Sequence, residues 1–359
     1  AAVMLGFSAA TQDIVIDAYR IEAAETSLQA MMSATYIAGY RVGMVVSGAG
    51  ALYLAAALGS TAEHYVFAAW RWTYIAMAGT MLVGIATTLL IPEPVSGRLA
   101  TRRYGAWDYF RLVIVFAGAA TAFVATFFLS GNGFAALQGP MGQGPLAGFL
   151  LESLHFLLAI LTAGLTGWLL VRLGVVDRTM ARETWIAPVL DFFDRYGTRT
   201  ALLLLALIGL YRISDVVLGV ISNVFYQDMG FTKPQIASAV KTFGVIVSIA
   251  GGLLGGLMAA RYGVMRILML GAILSAATNL IYVWLAWVGN DAAVLYLAVA
   301  ADNLAAGLAS AAFVAFLSSL TSVAFTAVQY AIFSSLMTLL PKVLGGYSGT
   351  MVEAIGYPA

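Results

Sequence analysis

Five ionisable residues stand inside long apolar runs: Arg41, Arg212, Asp215, Lys241 and Asp302. An ionised side chain at the centre of a membrane-spanning helix costs roughly 2.5–3.5 kcal/mol on the insertion scale, so such residues turn toward a bundle interior or a watery cavity. At 1.5 Å of rise per residue, Arg212 lies about 18 Å and Arg41 about 20 Å from the inner surface, with Asp215 one turn beyond Arg212. Lys241 and Asp302 sit on spans running the other way, roughly 9 and 14 Å from the outer surface. In a hydrocarbon core about 30 Å thick, all five fall near the midplane or in the outer half. Three positive and two negative groups leave one positive charge, which suits an anionic ligand such as a carboxylate. Arg212 and Asp215, three residues apart, could equally satisfy each other as a structural pair.

A second cluster comprises Gln12, Asp13, Asp17 and Arg20. The four-residue spacing puts both carboxylates on one helix face, and Arg20 follows a turn later. Lying toward the cytoplasmic end, it reads as a gate pair, a proton-relay carboxylate or a solvated helix end. Other chemistries find no support. The chain has no cysteine, so thiol catalysis, disulfides and thiolate metal sites are excluded. His64 and His155 are far apart and form no metal motif. Neither an HExxH metalloprotease motif nor a GxSxG nucleophile elbow is present. No catalytic residue, metal or cofactor is expected.

The elements that carry these residues follow from composition. The 359 residues are 62% hydrophobic and 10% charged, with mean hydropathy +0.92. Soluble domains carry about 25% charged residues, so lipid must be the solvent here. The net charge of +1 gives no sign of a nucleic-acid partner. At about 20 apolar residues per span, spans are expected at about 28–57, 67–91, 109–130, 147–171, 200–225, 235–260, 264–289, 293–320 and 323–341, after a partial helix at about 1–19. The chain opens inside an apolar run, Ala1-Ala2-Val3-Met4-Leu5-Gly6-Phe7, and reads as a piece of a longer protein.

Basic residues concentrate in three connections: Arg98, Arg102, Arg103 and Arg111; Arg172, Arg178, Arg182, Arg195 and Arg199; and Arg261 with Arg266. All three fall on one side if every span crosses once, and the positive-inside rule makes that side cytoplasmic. In the second connection Trp185, Val189, Phe192 and Phe193 recur at helical spacing opposite Asp191, Asp194 and Arg195, which predicts a short amphipathic helix on the inner membrane face. Small residues at four-residue spacing (Gly39, Gly43 and Ser47; Gly251 and Gly255; Gly252 and Gly256) mark faces where helix backbones can approach closely.

The stretch Phe7-Ser8-Ala9-Ala10-Thr11-Gln12-Asp13-Ile14-Val15-Ile16-Asp17-Ala18-Tyr19-Arg20 resembles the AmpG family of muropeptide permeases, within the major facilitator superfamily. Gly39-Tyr40-Arg41-Val42-Gly43, Leu210-Tyr211-Arg212-Ile213-Ser214-Asp215, Lys241-Thr242-Phe243-Gly244, Asp302-Asn303-Leu304, Ala327-Val328-Gln329-Tyr330 and Val352-Glu353-Ala354-Ile355-Gly356-Tyr357 follow in the expected order. The first stretch is the most specific, and together the motifs cover nearly all the chain apart from about 93–198.

The resemblance implies an all-α major-facilitator fold with two helix bundles and alternating access to a central site. It implies that the first three helices and the last of the family core lie outside this stretch, and that two extra helices sit between the bundles. The expected division is 1–92 for the remainder of the N-terminal bundle, 93–198 for the inter-bundle region and 199–359 for the C-terminal bundle. The implied activity is proton-coupled import of anhydromuropeptides (GlcNAc-anhydromuramyl peptides) across the bacterial inner membrane for cell-wall recycling, by a monomer whose partners are lipids, protons and an anionic glycopeptide. Transport of another organic anion such as acetyl-CoA is the alternative, and a membrane-embedded enzyme a more distant one. Beside the residues above, Tyr40, Asn303, Gln329 and Tyr330 join the candidate substrate or proton pathway through these motifs. A coupling carboxylate must change protonation during the cycle. Asp302, with no basic residue within a turn on its own helix, is ranked first, the Asp13/Asp17 pair second and Asp215 third.

Overall fold

The computed structural model describes residues 2–25, 28–61, 64–94, 104–141 and 145–345. Arg98, Arg102, Arg103 and the motif at 352–357 lie outside the described residues. Among the described residues the secondary structure is entirely helical, and nine stretches are long and apolar enough to cross a membrane. Leu89, Leu90 and Leu129 are each more than 80% exposed. Large side chains bared to this degree along whole helices would be untenable in water and are ordinary against lipid tails.

The helices are α1 (Ala2–Glu22), α2 (Gln29–Val45) continuing through a π-helical turn (Val46–Gly50) into α3 (Ala51–Ala57), and α4 (Phe67–Leu90). Next come α5 (Ala106–Met141), α6 (Pro145–Arg172), the short α7 (Arg178–Ala181), a π turn (Arg182–Ile186) and α8 (Ala187–Leu210). Then follow α9 (Ile213–Asp228), α10 (Lys233–Ile236), a π segment (Ala237–Phe243), α11 (Gly244–Tyr262), α12 (Val264–Val288), α13 (Ala292–Leu320) and α14 (Thr326–Gly345).

The chain divides into two compact units, one of Ala1–Val95 with Asn223–Leu320 and the other of Ser96–Ser222 with Thr321–Ala359. In the first, α13 is the central helix, packed on α2, α11 and α12, and its side chains are buried on nearly every face from Ala305 to Ser318. Glycine makes this possible. A Cβ at Gly255 of α11 would lie 2.6 Å from the Leu308 carbonyl oxygen of α13, and one at Gly251 would strike Leu304 in the same way. Gly256, on the other face of α11, meets Ala30 and Ala34 of α2. The expected close-approach faces on α11 are therefore used, one toward each neighbour. Gly39 and Gly43 differ, since nothing lies within 4 Å of a Cβ built on either.

In the second unit α5 and α6 form an antiparallel hairpin. Thr126 and Thr162 share a hydrogen bond of 2.8 Å, Ser130 meets His155 at 2.9 Å, and Phe127 and Phe134 stack on the two faces of the His155 ring. Elsewhere in this unit α8 packs on α14.

Two expectations change in this unit. The span expected at about 200–225 is interrupted, because α8 ends at Leu210 and α9 starts at Ile213, with Tyr211 and Arg212 in the break. The amphipathic segment is helical, but part of its apolar face is covered by protein: Phe192 is 3% exposed and packs against Phe333 of α14, while Val189 is 39% exposed. The segment also continues into α8 through Gly197, whose φ of 69° and ψ of 154° bend the helix, a conformation open to glycine at little steric cost.

Candidate functional site

The N-terminal cluster forms around Arg20, which is 3% exposed at the C-terminal end of α1. One guanidinium nitrogen donates to Ser33 Oγ of α2 (3.1 Å) and Ser318 Oγ of α13 (2.9 Å); the other donates to Asp17 Oδ1 (3.3 Å). Both serines spend their own hydrogens on carbonyls of their own helices, Gln29 O and Val314 O, at 2.7 Å each. Their oxygens thus face Arg20 as acceptors. The Tyr36 ring lies 5.4 Å from the guanidinium carbon. Nearby, Tyr19 donates to the Pro92 carbonyl past α4, and Gln29 caps α1 by donating to Ile21 O and Ala24 O. A buried cation with its carboxylate thereby ties together the ends of α1, α2 and α13. Asp13, one turn from Asp17, is exposed. Gln12 lines a cavity of about 860 Å³ between α1 and α4, with Thr11, Tyr19, Thr87 and Thr88 as further polar lining.

Asp302 and Asn303 lie half-buried on α13 in the same unit. Asp302 bears electrostatically on two buried tyrosines, Tyr226 of α9 and Tyr282 of α12, whose hydroxyls meet at 3.1 Å. Asn303 donates to Val299 O at 2.9 Å and lies against Gly244, where a Cβ would come 3.1 Å from its amide nitrogen. Lys241 is exposed and rides on the π segment Ala237–Phe243. Such insertions occur frequently at functional sites because the extra residue swings side chains off the regular helical register. Tyr40 is 59% exposed and Arg41 half-buried on α2.

In the second unit, Arg212 and Asp215 face each other at 3.5 Å beside the break between α8 and α9. Broken helices with charged residues at the break are a recurrent way of building solute sites at mid-membrane. Gln329 of α14 is 1% exposed and fully engaged. Its amide nitrogen donates to Pro188 O and Asp191 Oδ2, both at 2.8 Å, while its oxygen accepts from Ser322 N (2.7 Å) and Arg195 Nη2 (3.0 Å). Two donor and two acceptor positions are all that an amide offers, so here Gln329 clamps the start of α8 to α14. Asp191 and Arg195 are also paired directly at 2.9 Å. Tyr330, next in sequence, is 4% exposed.

Sequence reasoning did not assign Ser33, Ser318, Tyr226 or Tyr282 to any site. The serines gave no signal of their own, since α2 and α13 carry other polar residues. The tyrosine pair left none either, because its two members are 56 residues apart.

No family model matches the chain. A transporter named AmpG 4 from Rickettsia conorii is 27% identical over 99% of this chain, and the anhydromuropeptide permease of Escherichia coli strain K12 is 26% identical over the same share. Over almost its whole length the chain is similar to permeases of the AmpG family. It is an all-α membrane protein of the major-facilitator type, crossing the bacterial inner membrane several times. It spans 66% of the length of the Rickettsia conorii relative and 55% of the Escherichia coli permease. A third AmpG relative, named AmpG 1, from Rickettsia prowazekii, is 24% identical, again over 99% of this chain.

Proposed function

We propose that this protein is a secondary transporter, not an enzyme, that carries anhydromuropeptides into the cytoplasm by proton symport. The observation that carries the reading is the alignment of 99% of the chain with a relative named anhydromuropeptide permease. The placement of charge supports it. Arg212 and Asp215 flank a broken span, and Lys241 rides on a π segment. Each is a group of the kind that meets a carboxylate-bearing solute where water also reaches. Counterflow in vesicles carrying the full-length protein tests the substrate. Vesicles preloaded with unlabelled GlcNAc-anhydromuramyl peptide should take up the labelled compound, and acetyl-CoA should not compete. Competition by acetyl-CoA with no response to the muropeptide would shift the reading to the alternative anion.

For coupling, we assign the proton to Asp302, on the argument that a carboxylate half-buried on α13, a helix with no basic residue of its own, has nothing on that helix to hold it in its charged form. Asp302→Asn is then expected to retain counterflow and lose accumulation driven by a pH gradient. If Asp302→Asn concentrates substrate as steeply as the wild type, the Asp13/Asp17 pair becomes the better candidate.

A further inference from the structure

The α5–α6 hairpin carries a cavity of about 580 Å³ that the transport reading leaves unused. That volume lies within the roughly 300–1,000 Å³ of sites that hold small molecules. Its floor is made of small residues, among them Ala119 of α5 with Gly164 and Gly167 of α6. A Cβ on Gly164 would meet nothing within 4 Å, so the groove is open along this line. Its walls are apolar and include Phe116 and Trp168. At one end stand Arg178 and Arg182, one helical turn apart, with Trp185 beside them.

That end is held in place. Met180 and Ala181, between the two arginines, are buried against Val115 and Val176, with Leu112, Leu170 and Trp185 packed around them. Both arginines are exposed, and neither makes an ion pair with a described residue. The nearby carboxylates are otherwise occupied. Asp177 accepts the backbone N–H groups of Thr179 and Met180, and Glu183 accepts from the Tyr104 hydroxyl. The same end carries Arg172, whose guanidinium lies 4.8 Å from the Trp168 ring, and Arg111 near Trp107. Clustered arginines and tryptophans at one end of an apolar hairpin are the mark of the cytoplasmic headgroup level.

We infer that this groove is a binding site for an anionic phospholipid of the cytoplasmic leaflet, with an acyl chain lying along Gly164 and Gly167 and the headgroup phosphate between Arg178 and Arg182. The charge and the apolar channel select the same molecule. A phosphodiester matches two guanidinium groups, and basic pockets between spanning helices on the cytoplasmic side suit anionic headgroups.

The test is native mass spectrometry of the full-length protein in detergent, titrated with phosphatidylglycerol or phosphatidylcholine. Wild type is expected to prefer phosphatidylglycerol. R178Q/R182Q should lose that preference by about thirtyfold, from two arginine–headgroup contacts. R266Q, which removes a basic residue from a different turn, should keep it. Because Gly164 faces open space, G164L should fold and should weaken phosphatidylglycerol binding with both arginines in place. Unchanged lipid preference in R178Q/R182Q, or an equal loss in R266Q, would overturn the site in favour of diffuse surface charge. Competition by soluble glycerophosphoglycerol at the same concentration as the lipid would also overturn it, since the groove would then add nothing.

Discussion

Replacing Gln329 by methionine preserves the side chain's length and bulk while removing all four of its hydrogen bonds. Two of its partners, Asp191 and Arg195, retain each other at 2.9 Å with side chains 26% and 32% exposed, so their loss is small. The other two are backbone groups, the Pro188 carbonyl and the Ser322 N–H, the first buried and the second half-buried. Leaving a buried polar group unsatisfied costs about 1–3 kcal/mol. With both affected, Gln329→Met should destabilise the protein by roughly 2–5 kcal/mol. The assay is reversible unfolding in mixed micelles, with wild type and mutant titrated side by side. Gln329→Glu separates the parts: its carboxylate still accepts from Ser322 and Arg195 but loses both donors and confronts Asp191. It should be destabilised too, and less so in acid, where that carboxylate is protonated. A Gln329→Met variant within about 0.5 kcal/mol of wild type, the usual range for surface changes, would refute the clamp.

Arg20→Ala leaves Asp17, 8% exposed, without its cation; removing one partner of a buried pair costs about 3–5 kcal/mol, and Asp17→Asn in the same background should recover part of the loss in the same unfolding assay. Gly255→Ala should cost about 1–3 kcal/mol, because the new methyl meets the Leu308 backbone, which cannot swing aside; Gly43→Ala, with open space around it, should be neutral, and equal losses at both would contradict the packing described. The backbone N–H groups of Met180 and Thr179 hold the Asp177 carboxyl below its ordinary range. The cap therefore favours the folded α7 at neutral pH, and this contribution disappears as pH falls through the lowered value. Hydrogen exchange at Thr179 and Met180 should quicken on acidification in wild type and be insensitive to pH in Asp177→Ala, once intrinsic exchange rates are divided out.

The spans were legible because lipid imposes a simple rule, a run of about 20 apolar residues, and α12 and α13 begin and end within a residue of the expected limits. The α11 glycines were legible as well, since their spacing has few uses in a spanning helix other than close approach. The break at Tyr211–Arg212 was not, because Gly209 beside it is one of many glycines in the spans and hydropathy is blind to backbone geometry. The π segment that carries Lys241 escaped for the same reason. Gln329 was picked out by its motif alone, and only the fold reveals that its hydrogen-bonding capacity is already used by residues more than 130 positions away. Phe192 illustrates a third limit. An apolar stripe on a helix says that something covers it, and membrane and neighbouring helix are equivalent covers in the sequence.

Proton-driven import of an anhydromuropeptide is the function proposed for this protein. The most direct measurement is accumulation of labelled GlcNAc-anhydromuramyl peptide by vesicles bearing the full-length protein, with and without an imposed pH gradient, acid outside. If import is proton-driven, accumulation rises above the external concentration only with the gradient and is abolished by a protonophore. Accumulation indifferent to the gradient would contradict the coupling, and no uptake above empty vesicles under either condition would contradict the substrate.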